Sequence, residues 1–229
     1  MKYRILGDSD CPLVEIDLDK NENVKIERGS MVYLSNVSIE GKLNSGKKGL
    51  GGVLNAIGRG ITSGESMFIT NAVGMSTDNK IGIAPSLPGK IYALEVEGSV
   101  QYRLNTGVFL ACDDSVNYLM KSQSIDKAFF GGTGGIFVME TEGRGTILIS
   151  AFGDLVELDV DPRYPLTIDN DHVVAWDKSL DYTIEIASGM FGFTTGEGLV
   201  NVFKGRGKVL VQTRNIASLA GRLSSHIQK

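Results

Sequence analysis

Two stretches that match each other decide the fold class, Gly107-Val-Phe-Leu-Ala-Cys-Asp-Asp-Ser-Val116 and Asp171-His-Val-Val-Ala-Trp-Asp-Lys-Ser-Leu180. They carry Ala, Asp and Ser at the same places and share one apolar pattern. A second matching pair follows them, Gly143-Arg-Gly-Thr-Ile-Leu-Ile149 and Gly205-Arg-Gly-Lys-Val-Leu-Val211. The chain therefore contains one apolar, glycine-punctuated unit at least twice.

A fainter third copy precedes these two. It is Gly29-Ser-Met-Val-Tyr-Leu34 followed by Gly64-Glu-Ser-Met-Phe-Ile69. The first and second elements are separated by 35 residues (29 to 64), 36 residues (107 to 143) and 34 residues (171 to 205) in the three copies. A regular spacing of this kind predicts an internal triplication.

Period-two alternation of apolar and charged residues recurs between and within the copies. The segments are Val24-Lys-Ile-Glu27, Leu94-Glu-Val-Glu97, Val156-Glu-Leu-Asp-Val160 and Thr183-Ile-Glu-Ile186. Each is typical of a half-buried antiparallel strand whose charges face solvent. Gly, Asn and Asp clusters between the strands supply the backbone conformations that tight turns need. We therefore predict an all-β chain of antiparallel sandwich or barrel units.

We divide the chain into a first repeat at 1–90, a second at 91–160, a third at 161–214 and a C-terminal helix at 215–229. The helix prediction rests on an apolar stripe at helical spacing, formed by Ile216, Leu219, Ala220 and Leu223. With 229 residues, 42% of them hydrophobic, the chain is long enough for these parts to pack as one globular unit.

The net charge of −4 makes nucleic acid an unlikely partner, because phosphate binding needs an excess of Lys and Arg. Two cysteines are too few for a disulfide framework, and no apolar run reaches the roughly 20 residues of a membrane span. We expect a soluble, cytoplasmic protein.

No nucleotide-binding glycine motif and no nucleophile motif occurs, and the chain holds only His172 and His226. We therefore expect neither a cofactor nor a metal ion, and no enzymatic activity. Cys112 is predicted to lie in the core, and His172 in a strand.

The segment 41–63 is a glycine-rich insertion of the first repeat with four cations and no acidic residue. The cations are Lys42, Lys47, Lys48 and Arg59. Two interpretations stay open: this patch contacts an anionic membrane surface or a partner protein, or it is a loop that covers one end of the sandwich.

A set of short motifs, in order along the chain, resembles the AIM24 family. The motifs include Gly82-Ile-Ala-Pro-Ser86, Gly107-Val-Phe-Leu-Ala111, His172-Val-Val-Ala-Trp176, Gly196-Glu197-Gly198 and Val209-Leu-Val-Gln-Thr-Arg-Asn215. The resemblance implies a repeated fold like that of the tryptophan RNA-binding attenuation protein, with units similar to a double-stranded β-helix. It implies no enzymatic activity, and the family's fungal member is linked to organisation of the mitochondrial inner membrane.

Three hypotheses about function follow. The leading one is a non-enzymatic binding or scaffold protein that forms a homo-oligomer through sheet edges or apolar faces. The second is a small-molecule-binding protein or enzyme with a site between repeats, formed by Asp113, His172, Glu197 and Arg214. The third is RNA binding by analogy of fold, which the acidic composition disfavours.

Overall fold

A computed structural model describes residues 1–7, 10–43, 68–122, 137–187 and 198–227. The strands of the first third are β1 Lys2–Leu6, β2 Leu13–Leu18, β3 Asn23–Ile26, β4 Met31–Ser35, β5 Val37–Leu43, β6 Phe68–Gly74 and β7 Asn79–Ile83. The middle third holds β8 Ile91–Val96, β9 Tyr102–Asn105, β10 Phe109–Asp113, β11 Val116–Ser122, β12 Phe137–Gly143 and β13 Gly145–Ser150. The last third holds β14 Leu155–Val160, β15 Leu166–Asp169, β16 Val173–Asp177, β17 Asp181–Ile186, β18 Leu199–Lys204 and β19 Gly207–Gln212. All the paired strands run antiparallel, so the predicted all-β class is confirmed.

One order of pairing recurs in three groups of six strands, which we call group 1 (β2–β7), group 2 (β8–β13) and group 3 (β14–β19). In each group the first, sixth and third strands form one half-sheet, as in β2-β7-β4. The second, fifth and fourth strands form the other half-sheet, as in β3-β6-β5. The groups therefore share a topology, with β1 added at the edge of group 1.

Successive groups are joined by pairing one half-sheet of each. Strand β3 of group 1 pairs with β10 of group 2, giving the six-stranded sheet β5-β6-β3-β10-β13-β8. Strand β9 of group 2 pairs with β16 of group 3, giving β11-β12-β9-β16-β19-β14. The half-sheets at the two ends stay smaller, as β1-β2-β7-β4 and β15-β18-β17.

The alignment of the third sequence copy was wrong in its second element. Phe68 and Ile69 lie in β6, which occupies the place of β12 and β18, whereas Ile147 and Ile149 lie in β13. The counterpart of β13 in group 1 is β7. A short apolar run after a glycine is compatible with the fifth or the sixth strand of a group, so the sequence pattern alone could not distinguish β6 from β7. Whether the groups are triplicated copies of the fold of the attenuation protein stays a prediction.

The buried core follows the junctions between groups. One cluster packs Val14, Ile16 and Ile81 of group 1 against Leu110 and Leu148 of group 2. A second cluster spans groups 2 and 3, and a third surrounds Trp176 of β16. Apolar burial of this kind, at about 25 cal/mol per Å², is what holds the groups together.

The chain ends in the predicted helix, α1 Ile216–Ile227. Asn215 caps it, because its side-chain oxygen accepts a hydrogen bond from the Ser218 backbone N–H at 2.7 Å. The predicted stripe stays uncovered, since Ile216 and Leu223 are each 52% exposed. No helix within the described ranges is long and apolar enough to cross a membrane.

Candidate functional site

Strand β4 presents an apolar outer edge. It pairs with β7 on one side, and on the other side no strand of the described residues pairs with it. Val32 is 54% exposed, Met31 44%, Leu34 42% and Tyr33 37%. The Tyr33 hydroxyl donates a hydrogen bond to the buried Glu15 carboxylate, so the strand is anchored to its sheet even though its outer edge is open.

The corresponding strands of the other groups are buried at the same positions. Strands β4, β10 and β16 each show a register shift at one place, between Met31 and Tyr33, Phe109 and Ala111, and Val173 and Ala175. Leu34 therefore corresponds to Cys112 and Trp176, which are 0% and 1% exposed. The edge of β4 thus exposes positions that the junctions bury elsewhere in the chain.

Strand β15 is another edge strand, and among the described strands it lacks the neighbour that its counterparts in groups 1 and 2 have. It occupies the place of β3 and β9, but its outer side pairs with no strand in the part of the chain that the structure describes. Leu166 and Ile168 are half-buried, whereas Ile26 and Leu104 are 1% and 0% exposed. Strand β4 of group 1 and β15 of group 3 therefore correspond to the two strands that pair at each internal junction.

A cation, buried at Lys25 and half-buried at Arg103, joins the two groups at each junction inside the chain. Lys25 donates from its Nζ to the backbone oxygens of Asp114 and Val116, both at 2.7 Å, across the junction between β3 and β10. Arg103 donates to the backbone oxygen of Leu180 at 3.0 Å across the junction between β9 and β16. The alternating pattern predicted that Lys25 faces solvent, and this was wrong, because the strand of the next group covers it.

Glu140 of β12 is a buried carboxylate surrounded by three cations, and the sequence analysis missed it. Lys178 lies 2.8 Å from it, Lys121 2.9 Å and Arg103 3.2 Å. Burial by itself raises the pKa of this carboxyl, but hydrogen bonds from Lys178, Lys121 and Arg103 outweigh it and lower the pKa to about 2. Arg103 of β9, Lys121 of β11 and Lys178 in the turn after β16 are thereby connected through Glu140.

Asp113, a predicted site residue, anchors the start of β13. Its carboxylate accepts a hydrogen bond from the Thr146 backbone N–H at 2.7 Å, and Asp177 does the same for Lys208 at 2.8 Å. A Cβ added to Gly145 would lie 2.7 Å from the Asp113 carboxylate. Gly145 and Gly207, which hold equivalent positions at the starts of β13 and β19, thus make room for Asp113 and Asp177.

His172 lies in a 3-10 turn before β16, so its predicted placement in a strand was wrong. Its Nδ1 is 2.7 Å from the Gln212 backbone oxygen and its Nε2 is 2.9 Å from the Asn215 side-chain nitrogen. A carbonyl oxygen only accepts, so Nδ1 carries the proton and Nε2 accepts from the Asn215 amide. Both ring nitrogens are engaged in holding the turn against β19 and the start of α1.

The predicted inter-repeat residues are not assembled into one cluster by the described contacts. Arg214 is near His172 in the chain's fold, and its backbone N–H donates to the Phe152 backbone oxygen at 3.2 Å. Asp113 instead contacts Thr146 and the amino terminus, which is 2.7 Å away. Glu197 lies outside the described residues.

The basic insertion also lies outside the described residues, apart from Lys42. The Lys42 backbone is in β5, opposite Ile69 of β6. Lys47, Lys48 and Arg59 are not described, so the proposed contact with an anionic surface stays a prediction.

Cys112 belongs to the core, as predicted. Burial raises the pKa of its thiol to about 12, so the nucleophilic thiolate is not formed at neutral pH. Within the described ranges, no three His, Cys, Asp or Glu side chains are grouped as metal ligands.

A cavity of about 370 Å³ lies between groups 2 and 3, beside the turn that holds His172. Its lining includes Thr106 and Val108 of group 2, and Asn170 and Gln212 of group 3. The side-chain oxygen of Asn170 is buried and accepts no hydrogen bond from any residue that the structure describes. An unmatched acceptor of this kind is costly unless a donor reaches it.

The fold and its open edges define an all-antiparallel β protein in which sheets are shared between successive strand groups. Residues 3–214 match the sequence profile of the family described as mitochondrial biogenesis AIM24, so the chain belongs to the AIM24 family. An uncharacterised protein of Streptococcus pyogenes serotype M6 is 48% identical, over 99% of this chain and 91% of its own length. A crystal structure of a Streptococcus pyogenes protein is also similar, with 45% identity, a TM-score of 0.80, and coverage of 98% of this chain and 99% of that one.

Proposed function

We propose that this AIM24-family protein is a non-enzymatic scaffold that associates with further copies of itself. The observation that carries the proposal is the exposed apolar edge of β4, whose counterparts in β10 and β16 are buried. The partner is a second copy because the chain already contains, on β15, the kind of strand that covers β10 and β16. Cys112 is buried with a raised pKa and His172 holds a turn, so neither supplies an activated nucleophile or base.

The composition of the edge supports this proposal. Proteins that stay monomeric block exposed edge strands with a charged side chain, a proline or a bulge that turns the edge away. Strand β4 reads Met-Val-Tyr-Leu-Ser from Met31 to Ser35, with no charge and no proline. Strand β10 has a bulge at the equivalent position and still pairs with a strand on each side. The bulge of β4 therefore does not prevent pairing.

The proposal predicts a concentration-dependent oligomer that a single lysine on β4 dissociates. At micromolar concentration we expect the wild type to scatter light as a multiple of its 24.6 kDa mass. Leu34→Lys should shift the mass to one chain, because a lysine on an edge strand opposes pairing. The matched control is Ile5→Lys on β1, the opposite edge of the same sheet, where Ile5 is 46% exposed.

The measurement is light scattering coupled to size-exclusion chromatography over a range of loading concentrations. A wild type that stays at the mass of one chain throughout this range contradicts the proposal. Equal dissociation by Leu34→Lys and Ile5→Lys would also contradict it, because β4 would then have no special part.

A second candidate function, the binding of a small molecule, is favoured by the unmatched Asn170 oxygen in the cavity between groups 2 and 3. The ligand that fits is a small hydrogen-bond donor, such as a primary amide, a urea or an alcohol. This site differs from the predicted one, since Asn170, Thr106 and Gln212 line it.

A panel of small amides, ureas and alcohols tests this candidate by thermal unfolding. A ligand at 100 times its dissociation constant stabilises by about 2.7 kcal/mol, so we expect the melting temperature to rise by about 5 °C or more. Thr106→Trp should abolish the rise in melting temperature because the indole fills the cavity. The control is Thr183→Trp, at an exposed threonine of β17 away from the cavity, and it should leave the rise unchanged. No rise with any compound, or an equal rise in both variants, contradicts the candidate.

A further inference from the structure

We propose that β15 of one copy pairs antiparallel with β4 of a second copy, with Ile168 opposite Tyr33, so that copies join head to tail. This inference rests on the proposed self-association and adds to it the strands, the direction and the register. The two junctions inside the chain supply the template, because they show twice how one group is joined to the next.

The two internal junctions use one register. In the first, Ile26 of β3 lies opposite Ala111 of β10. In the second, Leu104 of β9 lies opposite Ala175 of β16. Ala111 directly follows the register shift between β10 and β13, and Ala175 directly follows the register shift between β16 and β19, so the two alanines hold the same position. A single geometric rule therefore describes both junctions.

The same positions can be assigned on β4 and β15. Tyr33 directly follows the register shift of β4, so it corresponds to Ala111 and Ala175. Ile168 precedes Val173, at the shift of β16, by the same five residues that separate Leu104 from Phe109 at the shift of β10. The internal rule then places Ile168 opposite Tyr33, Thr167 opposite Leu34, and Leu166 opposite Ser35.

The direction of assembly follows from the two edges being different. Among the strands that the structure describes, β4 lacks the neighbour that β3 and β9 provide to β10 and β16, and β15 lacks the neighbour that β10 and β16 provide to β3 and β9. A contact between unlike surfaces is heterologous and leaves one edge open on each partner, so it closes into a ring or continues as a chain of copies. Pairing of β4 with another β4 would instead be isologous and would leave both β15 strands uncovered.

The contact between copies lacks the cation that each internal junction has. Lys25 and Arg103 directly precede Ile26 and Leu104, and each donates to a backbone oxygen of the next group. The corresponding residue on β15 is Thr167, whose short side chain carries no charge. We expect the external junction to be weaker than the internal ones, and hence reversible on dilution.

Site-directed cross-linking tests the strands and the register together. The background is Cys11→Ser, since Cys11 is exposed, and Cys112 is kept because it is buried. Directly opposite residues of an antiparallel pair have Cβ atoms about 5 Å apart, which is within reach of a short thiol cross-linker. Leu34→Cys and Thr167→Cys, both at exposed positions, are prepared as separate proteins and mixed.

We expect the mixture to give a covalent dimer on denaturing gels, and neither protein alone to give one. The matched control mixes Ile5→Cys, on the opposite edge of the same sheet, with Thr167→Cys, and this pair should give no dimer. Mass spectrometry of the linked peptides should join residue 34 of one copy to residue 167 of the other.

Each other result overturns the inference in a recognisable way. A dimer from Leu34→Cys alone means that β4 pairs with β4. Equal cross-linking with Ile5→Cys means that collision rather than pairing joins the copies. Oligomers by light scattering without a 34-to-167 link refute the pairing but leave the self-association standing. A background protein that scatters as one chain refutes both.

Discussion

Replacing Glu140 with glutamine is expected to lower the free energy of unfolding by about 3 kcal/mol, because it removes the one anion that three cations share. Breaking a buried ion pair by removing one partner costs about 3–5 kcal/mol. We take the lower end, since Lys121 and Lys178 are partly exposed and water screens them. Urea unfolding followed by fluorescence measures the change. Glu142→Gln, at an exposed position of the same strand, is the control and should change the stability by less than about 0.5 kcal/mol.

The same carboxylate should set part of the acid stability. Its pKa is about 2 in the folded protein, whereas an unfolded glutamate has a pKa of about 4.3. A group whose pKa is lowered by folding stabilises the folded state above the unfolded pKa, and that contribution is lost as the pH falls from about 4 towards 2. The stability difference between wild type and Glu140→Gln should therefore shrink over this pH window. An undiminished difference at pH 2.5 would mean that Glu140 acts through packing rather than through its charge.

Replacing Lys25 with alanine is expected to destabilise the junction between groups 1 and 2 by about 3–4 kcal/mol. The change removes the amine that donates to the backbone oxygens of Asp114 and Val116, and it removes the packing of the buried side chain; the lost hydrogen bond at a buried group such as the Val116 oxygen alone costs about 1–3 kcal/mol. Lys25→Met keeps most of the side-chain volume, so it separates the lost hydrogen bonds from the lost packing. If Lys25→Met is as stable as the wild type, the amine contributes little and packing holds the junction.

Hydrogen exchange locates the effect of the Lys25 variants. We expect faster exchange in β3 and β10, which meet at this junction, and unchanged exchange in β16 and β19 of group 3. Lys20→Ala, in the exposed turn before β3, is the matched lysine control and should leave all four strands unchanged. Uniformly faster exchange across the chain would show that the groups unfold as one unit instead.

The alternating sequence was sufficient to predict the strands and the class of fold, because period two is a local property of the chain. It was also sufficient for α1 and for the burial of Cys112. It could not place Lys25, because a charged residue in an alternating strand is read as exposed, and the strand that covers it is about ninety residues away along the chain.

Glu140 was missed for the same physical reason. Its three partners come from β9, from β11 and from the turn after β16, and nothing in the local sequence links them. Which strands form the open edges could not be predicted either. A strand carries no local mark of whether its second neighbour is present, and Leu34 differs from Cys112 and Trp176 mainly in what lies beside it.

The sharing of sheets between successive groups has a consequence for synthesis on the ribosome. When group 1 has left the exit tunnel, β3 already has β6 beside it but must wait for β10, which begins 26 residues after the end of β7. During that interval the growing chain displays a bare strand, and the arrival of the next group covers it. Within the described residues no later strand pairs with the outer side of β15, so the folded protein keeps there the kind of surface that group 1 carries only until group 2 is made.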